Sequence, residues 1–227
     1  MRSITLSPGE YYHVYNRGTD KRDIFLDDHN YLRFLFSIMS FQSFKPIVLP
    51  ARFVAHWKQV YKGDPESLNG IFSPQEIQGI AQMRIVELAA FALMPNHFHL
   101  LLKEVRPRGI SEYMQRMQCS YTKYFNTLHD RSGHLFQGPF QAVHVESNEQ
   151  LLHLTAYIHR NPSELSKWAA KPERYPWSSY QDYVYTNRWS DLLNNVVITS
   201  QLKAGKTYHQ FVLNSGAKMN NEDQLFQ

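Results

Sequence analysis

His97 and His99 flank Phe98. On a β-strand, residues i and i+2 project from the same face. The two imidazoles would stand side by side, within reach of one divalent ion at about 2.1 Å from each nitrogen, while Phe98 turns into a core. Two histidines on any half-buried strand with one wet face would give the same pattern, and the chain holds 11 histidines, so the pair alone leaves both readings open. A second group lies further along. His153, Tyr157 and Asn161 fall at i, i+4 and i+8 and share one helical face, next to the apolar stripe Leu151, Leu154 and Ile158. The tyrosine can supply a phenolic nucleophile and the asparagine a carbonyl oxygen to a metal. Each also has an ordinary reading: Tyr157 as an interface aromatic with a wet hydroxyl, Asn161 as a helix C-terminal residue before Pro162, His153 as a surface residue. The case for chemistry rests on the two groups together.

The elements that must position these residues can be read from hydrophobic period and turn residues. Tyr11 to Asn16 (YYHVYN) is rich in aromatic and β-branched residues and stops at Arg17-Gly18, which predicts a strand and a turn. Asp27-Asp28 caps a helix through Tyr31, Leu32, Phe34, Leu35 and Ile38. The stretch 44–84 mixes prolines and glycines with short helix-like pieces and reads as an insertion or loop-rich region. Val86 to Met94 is a buried strand, Pro95-Asn96 a turn, and His97 to Glu104 a second, antiparallel strand. A helix from Ser111 carries Met114, Met117, Tyr121 and Phe125 on one stripe. Gly133 to Glu146 reads as a hairpin around Gly138-Pro139. Ser147 or Asn148 caps the last helix, which ends before Asn161-Pro162. Strand, helix, strand, strand, helix, strand and an extra helix is an α+β, ferredoxin-like order, one antiparallel sheet with helices on one face. Residues 1–162 form the expected core and 163–227 a C-terminal extension with a polar, frayed tail.

Bulk composition bounds the function. The 227 residues suffice for a substantial core, and 43% hydrophobic with 14% aromatic content argues for folding rather than disorder. A net charge of +4 and a pI near 9.0 lean mildly toward polyanionic partners. The single cysteine, Cys119, excludes a disulfide within the chain and fits a reducing compartment. No apolar run approaches the roughly 20 residues that span a bilayer, and the N-terminus carries no signal-peptide pattern. The expectation is a cytoplasmic protein without membrane partners.

Five fragments carry a resemblance. YHVYNRGTDKRDIF (Tyr12 to Phe25), ALMPNHFHLLL (Ala92 to Leu102), GHLFQGPFQAVHV (Gly133 to Val145), AYIHRNP (Ala156 to Pro162) and YPWSSYQDY (Tyr175 to Tyr183) occur in this order. Together they resemble the single-tyrosine HUH transposases of the IS200-like type, most of all the REP-associated tyrosine transposases. The longer 44–84 stretch and the SELSKW that follows Pro162 depart from the family pattern. They bear on the outer surface and on DNA choice more than on the chemistry.

The resemblance implies a transposase that cleaves and rejoins single-stranded or hairpin DNA at repeat ends, leaving a 5′-phosphotyrosine and a free 3′ hydroxyl, as a monomer or homodimer. It places the nucleophile at Tyr157; Tyr121 and Tyr124 are rival tyrosines on an earlier helix. A free tyrosine has a pKa of about 10, so roughly one in a thousand is phenolate at neutral pH, and both the nucleophile and the phosphate need help. A divalent metal, Mg2+ or Mn2+, held by His97, His99 and Asn161 would provide it; zinc would also suit the imidazoles and could inhibit. His153 is a further candidate ligand or proton acceptor, and takes the third place if Asn161 faces solvent. DNA contacts are expected from Arg17, Lys21 and Arg22 after the first strand, from Arg106 and Arg108 after the histidine strand, and from Tyr15 as an exposed aromatic that stacks on bases. Two rivals make different predictions. A nucleic-acid-binding module of the same fold without catalysis would form no covalent product, and a metal hydrolase using water would still cut after Tyr157→Phe.

Overall fold

The computed structural model describes residues 4–45, 71–202 and 204–215; residues 46–70 of the expected insertion and the tail from 216 lie outside the described residues. Four strands form one antiparallel sheet: β1 (Tyr11–Arg17), β2 (Val86–Met94), β3 (His97–Glu104) and β4 (Gln141–Val145), in spatial order β2-β3-β1-β4. This is the ferredoxin-like strand order. The histidine strand β3 and β1 occupy the centre, where Tyr15 lies opposite His99 and Arg17 opposite His97.

Alternation along the strands sorts side chains between two cores. Tyr12, Val14, Phe98, Leu100 and Leu102 face α1 (Asp28–Ser40), α2 (Pro74–Gln82) and α3 (Gly109–Leu128), in one large cluster with Phe34, Met117 and Tyr121. Each such Leu or Phe contributes roughly 1.5–3 kcal/mol of burial. Ala90, Ala92, Leu101 and Val145 face the other way, against Leu151, Leu154, Tyr157 and Ile158 of α4 (Asn148–Arg160). Small alanines on β2 let α4 approach closely. The two crossover helices thus share one face, and the extra helix covers the other.

The caps follow the sequence. Asp27 accepts from the Asn30 N–H and Ser147 from the Gln150 N–H. Within the stretch expected to be loop-rich, Ser73 and Glu76 form a reciprocal capping box with Pro74 at the first turn, which starts α2. The expected hairpin at Gly133 to Glu146 is half formed. Only Gln141–Val145 is a strand, paired with β1. The arm before it instead binds the Arg17-Gly18 corner, through a Gly18–Phe136 bridge and the Thr19 N–H on the Leu135 carbonyl. Leu135, Phe136 and Phe140 are all buried, so burial of three large side chains overrode the period-2 pattern.

The extension covers the outer edge of β2, the usual answer to an unpaired strand edge. Leu93 N–H donates to the Trp177 carbonyl, Ser179 N–H to the Phe91 carbonyl, and Asn194 N–H to the Leu88 carbonyl. A register shift between Leu88 and Ala90 takes Ala89 out of the ladder, and Tyr183 Oη donates to the Ala89 carbonyl at 2.6 Å. Trp177 stacks on Tyr31 at 4.8 Å, and a buried bidentate pair joins Arg188 to Asp182. The fragment YPWSSYQDY is therefore the strap that holds this edge. Among the described residues no helix is long and apolar enough to cross a membrane.

Candidate active site

The Arg17-Gly18 corner and the Pro95-Asn96 turn fix the two ends of the site against each other. Gly18 N–H donates to the Asn96 carbonyl, and the Ile24 and Phe25 N–H groups both donate to the Pro95 carbonyl. A Cβ on Gly18 would stand 2.3 Å from the Arg22 carbonyl oxygen, so only glycine fits. The Asn96 side chain then joins the corner to the histidine strand. Its Nδ2 donates to the Lys21 carbonyl at 3.2 Å, which turns its Oδ1 to His97 Nδ1 at 2.6 Å. An amide oxygen only accepts, so His97 carries its proton on Nδ1 and presents Nε2 as the basic nitrogen.

His97 and His99 share a face with ring centroids 5.0 Å apart. His97 is half-buried and His99 fully buried. His13, one strand over on β1, is also buried, and its Nε2 lies 2.9 Å from His99 Nδ1. The two rings stack at 5.0 Å. Burial pushes the His13 pKa down to about 3. Burial, then the His97 and His13 imidazoles, hold His99 well below its usual value, with the neighbouring Asn161 amide opposing them. Both rings are neutral imidazoles, the form that binds metals. The Asn161 amide oxygen is buried and takes no hydrogen bond of its own. The other end of that amide, Nδ2, donates to the Tyr157 carbonyl at 2.9 Å.

Tyr157 reaches the same place from α4. Its ring meets His99 edge to face at 5.6 Å and His13 at 6.1 Å. The helix is held by His159, two residues on: its Nδ1 pairs with Tyr208 Oη and its Nε2 with Ser179 Oγ, both at 2.7 Å. Tyr180 stacks on the same ring at 5.3 Å. The extension, through Ser179, Tyr180 and Tyr208, therefore sets the depth and rotation of the tyrosine helix.

Of the residues singled out in the sequence, the fold brings together His97, His99, Tyr157 and Asn161, with Arg17 at the edge beside His97. Asn161 is buried rather than facing solvent. His153 is exposed, packs near Phe211 at 5.8 Å, and lines a groove of about 420 Å³ between β4 and α4. Lys21 is exposed, and Arg22 lies at the same corner, paired with Asp20 at 3.3 Å. Arg106 and Arg108 follow the far end of β3, on the order of 20–30 Å along the strand from His97 at about 3.3 Å per residue, and Arg106 is paired with Glu112. The expectation of an exposed Tyr15 is overturned: the ring is only 4% exposed, 4.9 Å from His13 and 6.0 Å from His99. Strand alternation turns it to the same face as Tyr11 and His13. Tyr121 is buried on the opposite face, donating to the Ile24 carbonyl. His13 and the role of Asn96 were missed. The i, i+2 run Tyr11, His13, Tyr15 was visible, but that it faces His99 depends on the β1–β3 register.

Residues 72–161 match the sequence family described as IS200-like transposases. No curated protein matches the chain. Among solved structures the chain is similar to a REP-associated tyrosine transposase bound to a REP hairpin, with a TM-score of 0.52 and 14% identity over 83% of this chain and 86% of that one. A likeness at that identity concerns the fold. The IS200-like segment runs from just before α2 to Asn161 and so contains both imidazoles of β3 and the whole of α4, whereas His13, Arg17 and the strap over β2 lie outside it.

Proposed function

We propose that this transposase cleaves and rejoins single-stranded or hairpin DNA with Tyr157 as nucleophile and His97, His99 and Asn161 as ligands of a divalent metal, Mg2+ or Mn2+. The convergence of Tyr157, both imidazoles and Asn161 on one sheet face carries this reading. The donor set fits such an ion. The Nδ1 atoms of the two rings are engaged by Asn96 and His13, the outer-sphere pattern usual for metal-bound histidine. The buried, inward amide oxygen of Asn161 suits the third place better than the exposed His153.

When bound, the metal would act as a Lewis acid on the scissile phosphate. The Tyr157 hydroxyl would lose its proton and its oxygen would form the new bond to phosphorus as the P–O3′ bond breaks. The departing O3′ takes up a proton, and the 5′ phosphate stays on the tyrosine. Attack of a 3′ hydroxyl on that phosphotyrosine reverses the step and rejoins a strand. Arg17, beside His97, and Lys21 and Arg22 at the same corner are placed to contact phosphates.

The test is labelled single-stranded hairpin DNA from the flanks of the gene, incubated with Mn2+ and run on a denaturing gel. A slow, protease-sensitive band that is lost in Tyr157→Phe and His97→Ala is expected. Cleavage that survives Tyr157→Phe would make water the nucleophile. Binding of DNA without any cut across metals and flank sequences would leave a binding module.

A further inference from the structure

We propose that His13 is a positioning residue for His99: it accepts the Nδ1 proton of His99 and so turns the basic Nε2 of that ring toward Asn161 and Tyr157. The inference rests on His99 being a metal ligand. Its basis is geometric. The two rings are stacked and joined by one hydrogen bond of 2.9 Å between His13 Nε2 and His99 Nδ1. One proton lies between two neutral rings, and its side decides which His99 nitrogen is basic. If His13 donates, the lone pair of His99 is spent on His13. If His99 donates, the lone pair is left on Nε2, the ring nitrogen that can meet Asn161. The neighbouring ring shows the same solution: His97 is obliged to donate from Nδ1 because its partner there is an amide oxygen. With His13 as acceptor, both imidazoles offer the same nitrogen to one ion. His13 itself lies outside the segment shared with the IS200-like family, on a strand that α4 covers.

The experiment compares wild type with His13→Phe, which keeps a ring of similar size without an acceptor, and His13→Gln, whose amide oxygen can reach the position of Nε2. Mn2+ affinity is read by electron paramagnetic resonance, and the histidine tautomer by two-bond 1H–15N spectra of the metal-free protein. Wild type should carry the His99 proton on Nδ1. His13→Phe should move it to Nε2, facing Asn161, and weaken Mn2+ binding about 10–100-fold, the usual cost of losing an outer-sphere partner. His13→Gln should restore both, and metal-independent hairpin binding should not change in either. If His13→Phe does not fold, His13→Asn, too short to reach His99, replaces it. A wild-type proton on Nε2, or Mn2+ binding unaltered without an acceptor at position 13, overturns the proposal. If wild type binds no Mn2+, the metal reading of the site fails, and the tautomer spectra alone decide the role of His13.

Discussion

The ring of Tyr157 meets the ring of His99 edge to face at 5.6 Å, and both belong to one chain. The tyrosine helix lies over the sheet of its own subunit, anchored by His159 to Ser179 and Tyr208. A single copy therefore assembles the whole constellation. Mixing Tyr157→Phe protein with His97→Ala protein should restore no covalent DNA band. A covalent band in the mixture would mean that the helix is exchanged between subunits.

Tyr157→Phe removes one hydroxyl from a site that otherwise keeps its packing. Cleavage should fall on the order of 10³-fold or more, as for other nucleophile removals, with hairpin affinity and melting temperature close to wild type. Tyr121→Phe is the control. It loses the bond to the Ile24 carbonyl on the other face, costing about 1 kcal/mol of stability, and should still cut at the wild-type rate. Loss of the covalent band in Tyr121→Phe would move the nucleophile.

Asn96→Ala cuts two hydrogen bonds, to the Lys21 carbonyl and to His97 Nδ1. With nothing to hold its Nδ1 proton, His97 can turn and change tautomer. Mn2+ affinity should drop about 10–100-fold. Asn96→Asp keeps an acceptor for His97 and should recover most of it, as titration calorimetry would show.

Acid should weaken the fold in a defined window. Burial lowers the His159 pKa from 6.5 to about 3. Between these values the unfolded chain binds a proton that the folded chain refuses, so stability is full above about pH 6.5 and is lost as pH falls toward 3. One such histidine amounts to roughly 2 kcal/mol between pH 7 and 5. The urea midpoint of the metal-free protein should fall accordingly. At pH 7, Tyr208→Phe leaves His159 Nδ1 without its hydroxyl partner and should cost about 1–3 kcal/mol. A midpoint flat from pH 7 to 5 would show His159 to be reachable by protons.

Gly18→Ala places a methyl group 2.3 Å from the Arg22 carbonyl. The corner that carries Arg17 and meets Asn96 must then shift, at a cost of about 1–3 kcal/mol typical of overpacking. Melting temperature and Mn2+ affinity should fall together. Unchanged values for both would mean that the corner is more pliant than its contacts imply.

Local pattern alone fixed the strands at Tyr11, Val86 and His97, the caps at Asp27 and Ser147, and the shared face of Tyr157 and Asn161, because period and capping are encoded within a few residues of each other. The order of elements then limited the sheet to few arrangements. What lay beyond the sequence depends on partners distant along the chain. His13 faces His99 only because β1 pairs with β3 in one register, 86 residues apart. Tyr15 is buried because strand alternation turns it toward His13 and His99, and Arg106 is remote from His97 because a strand carries it to the other end of the sheet. The half-formed hairpin at Gly133 to Glu146 has the same cause: burying Leu135 and Phe136 outweighed the local alternation. A side chain's neighbours across a sheet are set by register and layer packing, and those are decided only when the whole core closes.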